Sequence, residues 1–216
     1  SPVPAEINGQ KQVMVLTGGM VRPPVGGLLG INPRNGRIEA SIPWRAQMFA
    51  SVNAASPVVV ENGVFITEAY TEGGAMVEFA EDGSGSIRWK AERFASQFTT
   101  PVAHEGYLYG VHGTGGTEIV CYDIESGEEM WRDSIDLENA RLGRASLLHV
   151  DGAFLCIGAQ GTLSWLDLSP EGANIRSQTQ LFRAPETWGV PTVSKGLIYV
   201  HQNARGSRLI CYDLRD

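Results

Sequence analysis

The sequence predicts an all-β protein, a β-propeller of four-stranded antiparallel blades, and three observations predict it. A turn ending in Gly and followed by an apolar strand recurs at Asn8-Gly9, Asn62-Gly63, Glu105-Gly106, Asp151-Gly152 and Lys195-Gly196. After a longer first step the period settles in the forties, which fits the roughly 40–50 residues of one propeller blade. The stretch from Thr99 to Trp131 holds four short apolar or alternating runs divided by Gly- and Asp-rich turns, and strands of a few residues between such turns are the hairpin signature. Finally, no long stretch has a helical period of apolar residues.

Unit one, about residues 1–50, has strands at Val13 to Leu16 and Leu28 to Ile31. They are divided by an insertion, Gly18 to Gly27, whose Pro23-Pro24 pair has no amide donor for a ladder. Unit two, about 51–94, reads Val58 to Val60, Val64 to Glu68, Met76 to Phe79 and Ile87 to Lys90. Unit three, about 95–140, reads Pro101 to Ala103, Tyr107 to Val111, Ile119 to Tyr122 and a last strand at Trp131. Asp136 to Gly143 has the cap and stop residues of one or two helical turns. Unit four, about 141–184, reads Ser146 to Val150, Ala153 to Ile157, Leu163 to Leu166 and Ser177 to Phe182. Unit five, about 185–216, has three strands: Val190 to Val193, Leu197 to His201 and Arg208 to Tyr212. This gives about four and a half blades, expected to form part of a seven- or eight-bladed ring closed by upstream blades or by a second copy.

The 216 residues carry a net charge of −7, which disfavours a phosphate-backbone partner, so no nucleic acid is expected. No apolar run approaches the ~18 residues of a membrane span. Ser1 is not an initiator methionine, which leaves room for a leader removed by processing. Three cysteines, Cys121, Cys156 and Cys211, make no disulfide framework and are expected as buried, reduced thiols in strands.

Several residues invite a chemical reading. His112 and His201 end second strands but do not align, and no metal-binding spacing surrounds them, so no metal site is expected. Gly83-Ser84-Gly85-Ser86 is a hairpin turn, not a nucleophile elbow, and the glycines at 113, 115 and 116 precede no helix that would cradle phosphate. Asp123, Asp167 and Asp213 close third strands and are expected as Asx-turn residues. No catalytic residue is assigned.

The pattern Pro101-Val102, Gly106, Tyr122-Asp123, Gly127 and Trp131, echoed by Pro57-Val58, Gly63, Gly85 and Trp89, resembles the pyrroloquinoline-quinone (PQQ)-like propeller repeat family. In that family the Trp docks on a turn of the neighbouring blade. Trp89 and Trp131 fit this, whereas Ala40 and the Arg176 region do not. The resemblance implies one of two functions. The first is a bacterial, non-catalytic binding or scaffold propeller of the BamB-like kind, periplasmic or otherwise extracytoplasmic, with a protein or peptide partner and no cofactor. The alternative is part of a quinoprotein dehydrogenase holding PQQ and calcium, for which Asn53 and Arg144 lie where axial ligands are implied. That branch usually carries adjacent cysteines beneath the quinone, and this chain has none.

Alternation of up-and-down strands puts the loops after strands one and three on one face and those after strands two and four on the other. The first face has short, acidic turns, and the second has the long loops, rich in arginine and aromatics. Such loops on a rigid scaffold are where binding concentrates. Arg45, Phe49, Arg93, Phe98, Arg141, Arg144, Trp188 and Arg205 are therefore the expected partner-binding residues, with Arg144 and Trp188 nearest the axis.

Overall fold

The computed structural model describes residues 1–216 except 50, 52, 62, 115–117, 134–141, 204–205 and 216. The described residues contain no helix, and the helical turn expected from Asp136 falls mostly outside them. Blade one is β1 (Val3–Ile7), β2 (Gln10–Thr17), β3 (Gly27–Ile31) and β4 (Ile38–Pro43). Blade two is β5 (Val58–Val60), β6 (Gly63–Glu68), β7 (Gly73–Phe79) and β8 (Gly85–Ala91). Blade three is β9 (Val102–His104), β10 (Tyr107–His112), β11 (Glu118–Asp123) and β12 (Glu129–Asp133). Blade four is β13 (Ser146–Val150), β14 (Ala153–Ile157), β15 (Thr162–Ser169) and β16 (Gly172–Gln180). Blade five has three strands, β17 (Thr192–Ser194), β18 (Leu197–Gln202) and β19 (Arg208–Asp213). Within each sheet the strands pair antiparallel in chain order.

The first turn of every blade places a non-glycine residue in the left-handed region: Asn8, Glu61, Glu105, Asp151 and Lys195, with φ between 44° and 51°. In four blades a Gly with positive φ follows, the two-residue turn whose twist matches its strands. Blade two differs from the expected alignment. There Val60 pairs with Gly63, so Gly63 is already the first residue of its strand. The insertion of blade one is a closed excursion. Thr17 still pairs with Gly27, and its hydroxyl donates to the Gly27 carbonyl at 3.0 Å.

The core consists of four clusters, one between each pair of neighbouring blades. Period-two alternation sends successive side chains of one strand to opposite interfaces. Val64 and Ile66 pack on Met14, Leu16 and Leu28 of blade one, whereas Phe65 packs on Leu108 and Val120 of blade three. Tyr109 and Cys121 pack on Phe154 and Cys156 of blade four, and Leu155 and Ile157 pack on Ile198 and Val200 of blade five. Each blade is thus stabilised by its neighbours rather than by a core of its own.

A β-bulge recurs at the same place in the outer hairpin of blades one to four, between Gly30/Ile31, Met76/Val77, Cys121/Tyr122 and Trp165/Leu166. The residues opposite are Ala40, Trp89, Trp131 and Ser177. Trp89 Nε1 donates to the Ile124 carbonyl at 3.0 Å, and Trp131 Nε1 to the Ser169 carbonyl at 2.7 Å, each on the next blade. Gly127 is glycine because a Cβ there would stand 2.5 Å from the Trp89 ring. In blade one Ile42 makes the contact instead, and a Cβ on Gly85 would lie 2.8 Å from its Cδ1.

Two expectations are corrected. Cys121 and Cys156 are buried, but Cys211 is exposed, because no blade among the described residues packs on the outward face of β19. Asp213 accepts from the Arg215 amide two residues on, as an Asx turn does, and Asp123 accepts from the Ser126 amide three residues on. Asp167 instead accepts from Arg176 Nε at 2.7 Å, an ion pair across the hairpin.

Candidate partner-binding site

The loops leaving strands two and four gather two arginine centres on one face, and the surroundings of the two differ. Arg45 follows β4 and leads into the link to blade two. Its side chain is 7% exposed and pairs with Glu68, which is 0% exposed at the end of β6. Glu68 also accepts from the Ser51 hydroxyl and from the Ala46 amide at 3.1 Å. The guanidinium donates further to Asn53 Oδ1 at 3.3 Å and to the carbonyls of Gly19 and Ser51. Arg45 therefore seals the loops of blades one and two and does not present its charge at the surface, contrary to the partner contact expected of it. A buried pair of this kind holds only because its remaining donors and acceptors are satisfied.

Arg144 lies just before β13. Its Nε donates to Gln97 Oε1 at 2.7 Å, and Gln97 Nε2 donates in turn to the Tyr70 hydroxyl at 3.0 Å. Nη1 pairs with Glu186. Phe98 and Trp188, from the loops before blades three and five, stack with ring centroids 4.8 Å apart and planes at 21°. The Arg144 guanidinium carbon stands 5.6 Å from the first ring and 5.8 Å from the second, within cation–π range. Loops from three successive blade junctions, together with the loop after β6, thus converge on one guanidinium. Trp188 is 44% exposed.

The other expected residues are dispersed. Phe49 is 95% exposed, and Arg93 is exposed, 3.8 Å from Glu129. Arg141 and Arg205 lie outside the described residues. Phe94, one of the aromatics of these loops, is buried between Phe65 and Tyr122. Tyr70, Gln97 and Glu186 complete the Arg144 centre, and the sequence singles out none of them as a contact of Arg144. No period or motif links an amide, a phenol and a carboxylate so far apart in the chain. The Glu72 carboxyl is held above its ordinary range by burial and by the nearby Glu68 charge.

The opposite face carries a groove of about 630 Å³ between blades two and three. Its floor includes Val60, Met76 and Phe79, and its rim Glu61, Glu78, Glu105 and Glu125, the last paired with Arg88.

The residues of the two arginine centres leave no calcium and quinone cradle there. Both Glu68 oxygens are taken by Arg45, Ser51 and the Ala46 amide, and Asn53 is shared between Arg45 and the Thr17 carbonyl. Gln97 and Glu186 are engaged by Arg144. No group of three His, Cys, Asp or Glu side chains converges among the described residues. Phe98 and Trp188 close on each other, with no gap between them for a flat ring.

The family model for outer membrane protein assembly factor BamB matches residues 1–133 and 82–181. No curated protein matches the chain at a significant level. Among solved structures, quinohemoprotein alcohol dehydrogenase from Comamonas testosteroni superposes with a TM-score of 0.57 at 14% identity, covering 97% of this chain and 39% of that one. The computationally designed Ika8 protein gives a TM-score of 0.54 at 10% identity, covering 89% and 52%. BamB from Moraxella catarrhalis gives 0.47 at 14% identity, covering 93% and 68%. At these identities the likeness is one of fold. The chain spans about half the length of Ika8 and less of the dehydrogenase.

Proposed function

This chain belongs to the family of the outer membrane protein assembly factor BamB, and from that premise we propose that it is a non-catalytic binding propeller whose long-loop face takes a protein or peptide partner. The observation that carries the reading is the Arg144 centre, where an oriented guanidinium and two stacked rings are presented together at the surface. Arginine and aromatics on a rigid support are the composition of interface hot spots. The partner is acidic or peptide-like where it meets this centre. Arg93 and Phe49 widen the same face, and Arg141 and Arg205 belong to its loops by sequence. The site of action is extracytoplasmic, as the family description implies, and the ring is completed by further blades or by a second copy.

The test is site-specific photo-crosslinking in bacterial envelope extracts, with the crosslinker at Trp188 on one face or at Glu125 on the other. Adducts from the first position that weaken on Arg144→Glu and with added salt support the reading. Adducts formed only from the second position refute it. Titration with PQQ and calcium examines the dehydrogenase alternative, and a saturable absorbance change would favour it.

A further inference from the structure

Two Arg–Glu pairs share the long-loop face, and they differ in whether the carboxylate can leave. Glu68 is fully buried, with two donors besides Arg45. Glu186 is 44% exposed at its side chain, and Arg144 is its ion-pair partner. Arg144 does not depend on Glu186 for its position, because its Nε edge is held by Gln97, a 6% exposed residue itself fixed to Tyr70. The guanidinium would therefore stay in place if Glu186 were exchanged for another carboxylate.

The backbone around Glu186 explains why it sits there. Thr187 is 1% exposed, its amide donates to the Ala159 carbonyl at 2.6 Å, and its hydroxyl accepts from the Asn203 amide at 3.0 Å. Pinning Thr187 inward turns its neighbours Glu186 and Trp188 the other way, toward Arg144. One face of the Trp188 ring lies on Phe98, and the residue as a whole is 44% exposed.

Resting on the binding reading above, we propose that Glu186 is an internal stand-in for the partner. The Arg144 centre takes an extended acidic segment with an aromatic side chain two residues from its carboxylate. The incoming carboxylate replaces Glu186 on Arg144, and the aromatic packs against the exposed part of Trp188. Glu186 marks the place of the incoming carboxylate, and the exposed part of Trp188, two residues on, marks where the aromatic rests. A partly exposed ion pair contributes little, so the competition costs an incoming carboxylate only about five-fold in affinity. The bulk of the selectivity comes from the aromatic contact and from the prior orientation of the guanidinium.

The test uses the whole chain and a synthetic probe, acetyl-Ala-Pro-Glu-Thr-Trp-Gly-Val-amide, which copies residues 184–190. Binding is measured by calorimetry. The Glu186→Gln variant is expected to bind the probe about five-fold more tightly than the unaltered chain. A probe with Gln in place of Glu is expected to show no such gain, and Arg144→Gln should abolish the gain. Unchanged thermal midpoints in both variants show that the loop is intact. Equal affinity of Glu186→Gln and the unaltered chain, the same gain with the Gln probe, or no binding to either at millimolar concentration overturns the proposal. If any of these occurs while Arg144→Glu still weakens crosslinking at Trp188, the binding face stands and only the stand-in role of Glu186 is lost.

Discussion

Trp165 stands directly across the β15–β16 pair from Ser177, at the level where Trp89 faces Met76 and Trp131 faces Cys121. In blade four the indole has moved one strand inward. The fourth-strand position that docks on the next blade is left to a serine. A groove of about 270 Å³ results between blades four and five, lined by Leu155, Leu163, Trp165, Ile198 and Leu214. In the preceding two blades the docking indole fills the corresponding space and caps a carbonyl.

Filling that groove should stabilise the chain. Ser177→Trp is expected to add about 0.5–2 kcal/mol, the usual gain from cavity filling at a compatible site. That gain corresponds to a rise of a few degrees in Tm for a chain of this size, at ~2–4 °C per kcal/mol. Urea denaturation followed by tryptophan fluorescence checks this. An unchanged midpoint with a solvent-exposed new indole would show that the slot does not accept the ring.

Arg45 holds a carboxylate that has no access to water. Arg45→Met should destabilise by about 3–5 kcal/mol, because Glu68 is left charged and buried without its partner. The double variant Arg45→Met/Glu68→Leu should recover much of the loss, since an apolar replacement of a buried pair is often neutral. A double variant no more stable than the single one would mean that the arginine acts through its carbonyl contacts rather than through its charge.

Stability should fall as pH drops from about 6.5, before most carboxylates titrate. Burial, followed by the charge of Arg132, holds the His112 pKa below its ordinary value, and Glu118 and Glu129 oppose this only in part. Its Nδ1 accepts from the Ala95 amide at 3.0 Å, which requires the neutral ring at that atom. Burial, followed by the adjacent His104, depresses His149, whose ring lies 4.0 Å from that of His104. A histidine depressed in the fold stays neutral while the unfolded chain takes up its proton. The stabilisation is therefore complete above about pH 6.5 and is lost as pH falls toward the folded pKa values. His112→Asn preserves an acceptor and His149→Phe preserves the packing. The double variant should flatten the slope of Tm between pH 7 and 5.5. An unaltered slope would assign the acid sensitivity to other groups.

One of the three thiols should react in the native protein. Cys211 is exposed. Burial pushes Cys121 and Cys156 up to about 12, so neither supplies thiolate at neutral pH. Titration with a chromogenic disulfide is expected to give one rapid equivalent, the other two appearing only on unfolding, with Cys211→Ser removing the rapid phase. Rapid reaction of a second thiol would mean that an interface between blades opens readily.

The blade repeat was legible in the sequence because its signals are local. Ser146–Val150 and Ala153–Ile157 coincide with the strands read from alternation alone, since an apolar strand between two turns is determined by a handful of adjacent residues. The slip at Gly63 shows the limit of that reading. Glycine serves both as a turn residue and as a strand residue, and only the pairing of Val60 with Gly63 separates the two roles.

By itself the sequence determined that the chain is all-β and where most of its strands lie. These follow from alternation, turn chemistry and a repeat, all of which act over short distances along the chain. Only the tertiary structure decided what each arginine does. Arg45 and Arg144 occupy similar places, each in a link leading to a first strand, and nothing in their immediate neighbours separates them. The distinction depends on which carboxylate reaches each one and how much chain covers the pair. Glu68 comes from the end of a buried strand and is enclosed by Arg45, Ala46 and Ser51 of one link, whereas Glu186 comes from a surface link and its side chain stays 44% exposed. Charge burial is set by everything that closes around a group in space, so the sealed pair and the open one were distinguishable only once the blades had packed.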